Sequence, residues 1–180
     1  MHRIFLGIAG WILLIFCAQF GLGLALFAAL PPVRGPVPEA AQSLFNVHML
    51  GGIFLGTLVC VIHVMTMFHF IGSGKEIKEA VEVLGGDAEV LKKLRRFKMQ
   101  TSGLATLAPL ITGAAVILGG GAHTGATAPW IHWGLGLLAL AVNLVAFKFE
   151  YGALKANLDL INEIDARLKA QSMPALPERT

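Results

Sequence analysis

Four uninterrupted apolar runs, at residues 4–30, 44–71, 101–119 and 130–151, constrain this chain more than anything else in it. Each is close to or above the roughly 20 residues that an α-helix needs to cross a bilayer. In hydrocarbon every backbone amide must find its partner inside its own segment, so such a run has to be helical. The expected fold is all-α: an integral membrane bundle of four transmembrane helices. Composition agrees, since 56% of the 180 residues are hydrophobic and 14% are charged, against about 25% charged in soluble domains. The mean hydropathy is +0.71. The first run follows directly on Met1, His2 and Arg3. It exceeds the apolar stretch of a signal peptide, about 7–15 residues, and is read as a span.

Lys and Arg set the orientation. Between spans two and three lie Lys75, Lys78, Lys92, Lys93, Arg95, Arg96 and Lys98. Between spans one and two there is only Arg34, and between spans three and four there is none. Arg3 precedes span one, and Lys155, Arg167 and Lys169 follow span four. The positive-inside rule then places both termini and the long loop in the cytoplasm, in a multi-pass protein of the cell inner membrane. The net charge of +3 and pI near 9.1 arise from these loop residues, which is a topology signal and no sign of a nucleic-acid partner.

Residues 72–100 read as a helical cytoplasmic loop. Residues 76–84 and 87–97 show helical apolar spacing, broken at Gly85-Gly86, so a short amphipathic helix and then an inner extension of helix three are expected. Pro31, Pro32, Pro36 and Pro38 end span one and make a stiff outer connector. Gly119-Gly120-Gly121 is expected to end helix three, leaving His123 in a short outer loop. Residues 153–180 form a cytoplasmic tail. Its Leu154, Leu158, Ile161, Ile164 and Leu168 recur at helical spacing, suited to packing on the inner loop or on a partner. From Met173 it is expected to be loose. Cys17 and Cys60 fall inside spans and read as buried thiols, and no CxxCH motif offers covalent haem attachment.

Six histidines carry most of the functional signal. Spans two and four run the same way, and each opens with a histidine followed by glycine one turn on: His48 with Gly52, and His132 with Gly136. The two imidazoles therefore share a depth near the outer surface. Two axial imidazoles on separate helices, with small residues beside them, are what a bis-histidine b-type haem requires. Below His132, the residues Gly136, Ala139, Asn143, Ala146 and Glu150 share one small or polar stripe at about 100° per residue. Polar groups are costly in hydrocarbon, so the stripe should face the interior. On span two the comparable stripe is His48, Gly52, Leu55, Val59 and Thr66, with His63 about 60° off its centre. His63 lies about 22 Å below His48. Ala146 and Phe147 stand at its level on span four, so no second haem is expected there, and Asn143 or Gln19 are its candidate hydrogen-bond partners. His69 lies near Glu150 in depth, which suggests a His–Glu pair. His2 reads as interfacial packing and His123 as solvated.

The segments His48-Met49-Leu50-Gly51-Gly52, Arg95-Arg96-Phe97-Lys98-Met99 and Trp130-Ile131-His132 resemble the HemJ, copper-resistance CopD and four-helix cytochrome b type of small histidine-bearing membrane proteins. The resemblance covers spans two to four, about half the chain, and implies a bundle that binds haem or copper. HemJ-like proteins carry a lysine soon after that Trp. Here the place is taken by Gly134, so the protoporphyrinogen chemistry does not carry over.

Three functions follow as expectations. The first is a b-type cytochrome-like protein, or a membrane subunit of a redox complex, transferring electrons through a haem on His48 and His132; if it is an enzyme, it is an oxidoreductase. The second is an outer-face copper site built from His48, His123, His132 and Met49. The third is a cofactor-free structural subunit of a larger complex. Expected partners are the lipid bilayer, other membrane subunits or further copies of the chain, and a quinone or periplasmic electron carrier. No GxSxG, P-loop, HExxH or GxGxxG motif offers hydrolytic or nucleotide chemistry.

Overall fold

The computed structural model describes residues 2–29 and 37–172, and they contain four α-helices: α1 (His2–Ala29), α2 (Glu39–Val83), α3 (Ala88–Thr124) and α4 (Pro129–Ser172). All four are long and apolar enough to cross a membrane. The expected stiff connector at Pro31, Pro32 and Pro36 and the expected loose tail from Met173 lie outside the described residues.

The helices alternate in direction. His2 of α1 lies edge-on to Tyr151 of α4, and Phe27 of α1 edge-on to Trp133, so α1 and α4 are antiparallel. Helices adjacent in sequence pack together, and α1 also packs on α4, which closes the ring. Across the middle, α2 touches α4, whereas α1 and α3 do not meet. The α2–α4 diagonal is therefore the axis of the core.

The bundle buries polar groups within an apolar core and exposes large apolar side chains. His63, Thr66, Thr112, Asn143, Glu150 and Asn157 are buried, while Trp11, Phe68, Ile117 and Trp130 are 68–74% exposed. In water such an exterior drives aggregation. Against lipid it needs no cover, and the expensive groups are those turned inward. Small residues allow close approach: Ala105, Ala108 and Ala115 of α3 and Ala139, Ala146 and Ala153 of α4 are all buried. Pro109 lies inside α3, where it removes the amide that would bond to the Ala105 carbonyl.

Two helix boundaries differ from the sequence reading. Residues 76–84 are not a separate helix: α2 continues unbroken for 45 residues, about 67 Å at 1.5 Å per residue. Gly72 and Gly74 do not break it, because each keeps its amide. The Ser73 hydroxyl donates back to His69 O. The chain turns only at Gly85 and Gly86, with φ of +88° and +86° that L residues rarely adopt. Likewise Gly119-Gly120-Gly121 does not end α3. The helix runs on to Thr124 and is closed by Gly125 in the left-handed conformation. His123 is consequently in the last turn of α3, its ring tilted by 35° against Phe45 of α2 with centroids 4.2 Å apart.

At the end where α1 begins, α2, α3 and α4 extend past α1 as a three-helix stalk. Its own core joins Ile77 and Val81 to Val90 and Leu94 and to Leu160 and Ile164. Asp87 caps α3 by accepting from the amides of Glu89 and Val90. Arg167 of α4 donates to the same carboxylate at 2.9 Å and to Glu163 at 2.6 Å.

Candidate functional site

Polar side chains occur in three layers along the α2–α4 diagonal. The layer farthest from the stalk holds His48 and His132, edge to face, with ring centroids 6.1 Å apart and planes at 82°. His132 Nδ1 lies 2.9 Å from the Ala115 carbonyl. A carbonyl only accepts, so Nδ1 carries the hydrogen and Nε2 keeps its lone pair. His48 Nδ1 and the nearby Gln19 Oε1 are buried and have no partner among the described residues.

The glycines singled out with these histidines do not touch them. A Cβ on Gly52 would meet nothing within 4 Å, and one on Gly136 would meet only the Phe20 ring. The glycines that the imidazoles require are on the other two helices. A Cβ on Gly23 of α1 would stand 2.9 Å from His48 Cε1, and one on Gly119 of α3 would stand 2.8 Å from His132 Cε1. Sequence spacing carried no signal for these contacts, since each joins different helices.

The copper ligand set expected from sequence is not assembled. His123 lies on Phe45, and Met49 is 45% exposed on the outside of the bundle. Among the described residues no three His, Cys, Asp or Glu side chains converge as metal ligands. Cys17 and Cys60 are free and exposed rather than buried, because both fall on outward faces.

The middle layer is fully buried. His63 Nδ1 lies 2.7 Å from Glu150 Oε1, and His63 Nε2 lies 3.1 Å from Asn143 Oδ1. Asn143 Nδ2 donates to Ala139 O and to Thr112 Oγ1, and Thr112 donates to Ala108 O. Phe147 stacks on the His63 ring at 5.2 Å. The partner of Glu150 is thus His63, not His69. Helical side chains lean toward the N-terminus, so Glu150 reaches back to the level of Phe147, which faces His63. The α2 stripe is also wider than its sequence spacing implied: it buries Ile62 and His63, on its two edges, together with Val59 and Thr66 between them. Gln19 stands in the His48 layer instead, against Gly51.

In the layer nearest the stalk, Asn157 Nδ2 donates to Ser73 Oγ at 3.0 Å and approaches His69 Nε2 at 3.5 Å. Asn157 is fully buried, and sequence reasoning overlooked it. It continues the α4 stripe two turns beyond Glu150, so extending the 3.6-residue period into the tail would have found it.

Comparison with models of known families, with curated proteins and with solved structures yields no match to this chain.

Proposed function

We propose that this is a multi-pass protein of the cell inner membrane, with both termini and the stalk in the cytoplasm, that holds one b-type haem between His48 and His132 and carries electrons. The single observation behind this reading is the pairing of those two imidazoles across the bundle diagonal. An imidazole nitrogen binds a first-row metal at about 2 Å, so two rings sharing one ion have centroids about 6 Å apart. The rings here are 6.1 Å apart with planes at 82°, a spacing that direct edge-to-face contact also gives, so a shared ion requires both ligating nitrogens to turn toward it.

The residues present fit the group. His132 has its Nδ1–H on a backbone carbonyl, the arrangement that fixes a ligating histidine and raises the basicity of its other nitrogen. His48 has an unbonded ring nitrogen. The imidazole edges pack on the backbones of Gly23 and Gly119, where any side chain would collide with the rings. A haem held by His48 and His132 would supply one-electron transfer rather than oxygen binding. The chain's own part is to hold the imidazoles in register and to close the site below with Leu55, Val59 and Ala139. The basic residues of the stalk support the orientation. It puts the haem near the outer surface, where a quinone or a periplasmic carrier can reach it.

The visible spectrum of protein made in haem-replete cells tests this. A low-spin bis-histidine spectrum is expected, lost in His48→Ala and in His132→Ala and kept in His63→Ala. Colourless wild-type protein overturns the reading and leaves the pair a structural contact in a cofactor-free subunit.

A further inference from the structure

We propose that His63 and Glu150 form a proton-binding site at the centre of the bundle, and that it exchanges its proton with the stalk end rather than with the His48–His132 end. The hydrogen-bond directions around the pair are determined. Thr112 gives its hydrogen to Ala108 O, so its oxygen accepts from Asn143 Nδ2, which also donates to Ala139 O. Asn143 therefore presents Oδ1 to His63 and accepts from Nε2–H. One proton remains, in the 2.7 Å contact between His63 Nδ1 and Glu150 Oε1. With that proton the pair is neutral, as imidazolium and carboxylate or as imidazole and carboxylic acid.

Glu150 Oε2 is buried and has no donor among the described residues. A carboxylate with one bare oxygen in a dry core is costly, which favours the carboxylic acid donating through Oε1 to His63 Nδ1. Oε2 then offers a lone pair to an arriving proton. As that proton binds Oε2, the one on Oε1 passes to Nδ1, and the pair becomes a carboxylic acid beside an imidazolium. Release reverses the step, and no electron or other group moves.

The buried polar groups reach further from the pair toward the stalk than toward the other end. Toward the stalk Thr66, Ser73 and His69 of α2 and Asn157 of α4 stand among the buried apolar Phe70, Ala153 and Leu154. Asn157 Oδ1 is a second buried acceptor without a donor among the described residues. It lies seven residues beyond Glu150 on the same stripe, about 10 Å along the helix. Buried acceptors in a polar column are places that water bridges. Toward the other end Asn143 and Thr112 bond to the pair itself, and beyond them Leu55, Val59 and Ala139 are buried and apolar. Few other ionisable groups approach the pair. From α1 there is His2, edge-on to Tyr151 of α4, while Arg3 is exposed. From α3 there is Lys98, further along against Gly74 of α2. On α2 the next is His69, and Lys148 of α4 points outward.

Infrared spectroscopy of the full-length protein in phosphatidylcholine vesicles tests this whether or not a haem is bound, so its outcome is separate from that of the visible spectrum. The expected signal is the carbonyl band of a protonated carboxylic acid at a pH where exposed carboxylates are ionised. It shifts in D2O and with ¹³C-glutamate, and it is missing from Glu150→Gln. If Glu150→Gln does not fold, wild-type labelling decides, because the other described glutamates are exposed. Absence of the band from wild type overturns the proton site. After a switch to D2O, Asn157→Leu should slow the band's exchange about tenfold, the effect of one lost hydrogen bond. An Asn157→Leu rate equal to wild type overturns the stalk-end route. So does an exchange about tenfold faster in Val59→Thr, which adds a hydroxyl on the other side.

Discussion

His132 and His48 differ in how firmly each ring is held, and the difference is measurable. His132 is anchored through Ala115 O and pressed against Gly119. A methyl group at position 119 has to displace an anchored ring, so Gly119→Ala should cost about 1 kcal/mol or more through the lost bond. Gly113, in the same helix, has open space at its Cβ position. Gly113→Ala should stay within about 0.5 kcal/mol of wild type. Thermal unfolding in detergent compares them, and equal midpoints would show that the ring moves freely. In the middle layer, Asn143→Leu strands the Nε2–H of His63 in a dry core. It should cost about 1–3 kcal/mol, whereas Thr106→Val, at an exposed hydroxyl, should be close to neutral. Two equal effects would mean that the His63 network carries no stability.

At the scale of the helices, the stalk depends on α4. Leu160 and Ile164 cover Ile77, Val81, Val90 and Leu94. Ending the chain after Gly152 should leave the apolar segments inserted but open the ends of α2 and α3, so that trypsin cuts rapidly at Lys78, Lys92 and Arg95. Full protection after truncation would show that these ends stand without the tail. Ile164→Ala, which leaves a cavity in this small core, should cost about 2–5 kcal/mol. The stalk also has a pH dependence with a definite sign. The hydrogen bond from Arg167, with the Val90 and Glu89 amides, holds the Asp87 carboxyl below the usual carboxylate range. The folded value is the lower one. Its contribution is therefore complete above the unfolded carboxylate value, about 4, and is lost as pH falls through the folded value. Asp87→Asn keeps a capping oxygen and should flatten that acid limb in trypsin-protection measurements. An unchanged limb would place the acid sensitivity elsewhere.

For the whole molecule, the proposed orientation makes one decisive prediction. In a background with Cys17→Ser and Cys60→Ser, an impermeant thiol reagent added to intact cells should label His123→Cys and spare Lys93→Cys. The reverse pattern would put the stalk outside the cell and the histidine pair within reach of cytoplasmic partners.

The helical, membrane-capable architecture was legible in the sequence because hydrocarbon penalises bare backbone and polar side chains alike. Apolar runs of sufficient length must be helices, and a small or polar stripe such as Ala139, Asn143, Ala146 and Glu150 must turn inward. These are local properties of one segment, readable from a 3.6-residue period. Tertiary structure alone decided which groups meet. That Glu150 bonds His63 and not His69, and that the histidine pair leans on Gly23 and Gly119, depend on the relative rotation and depth of separate helices. Those are set by the fit of facing surfaces, and no spacing within a single segment encodes them.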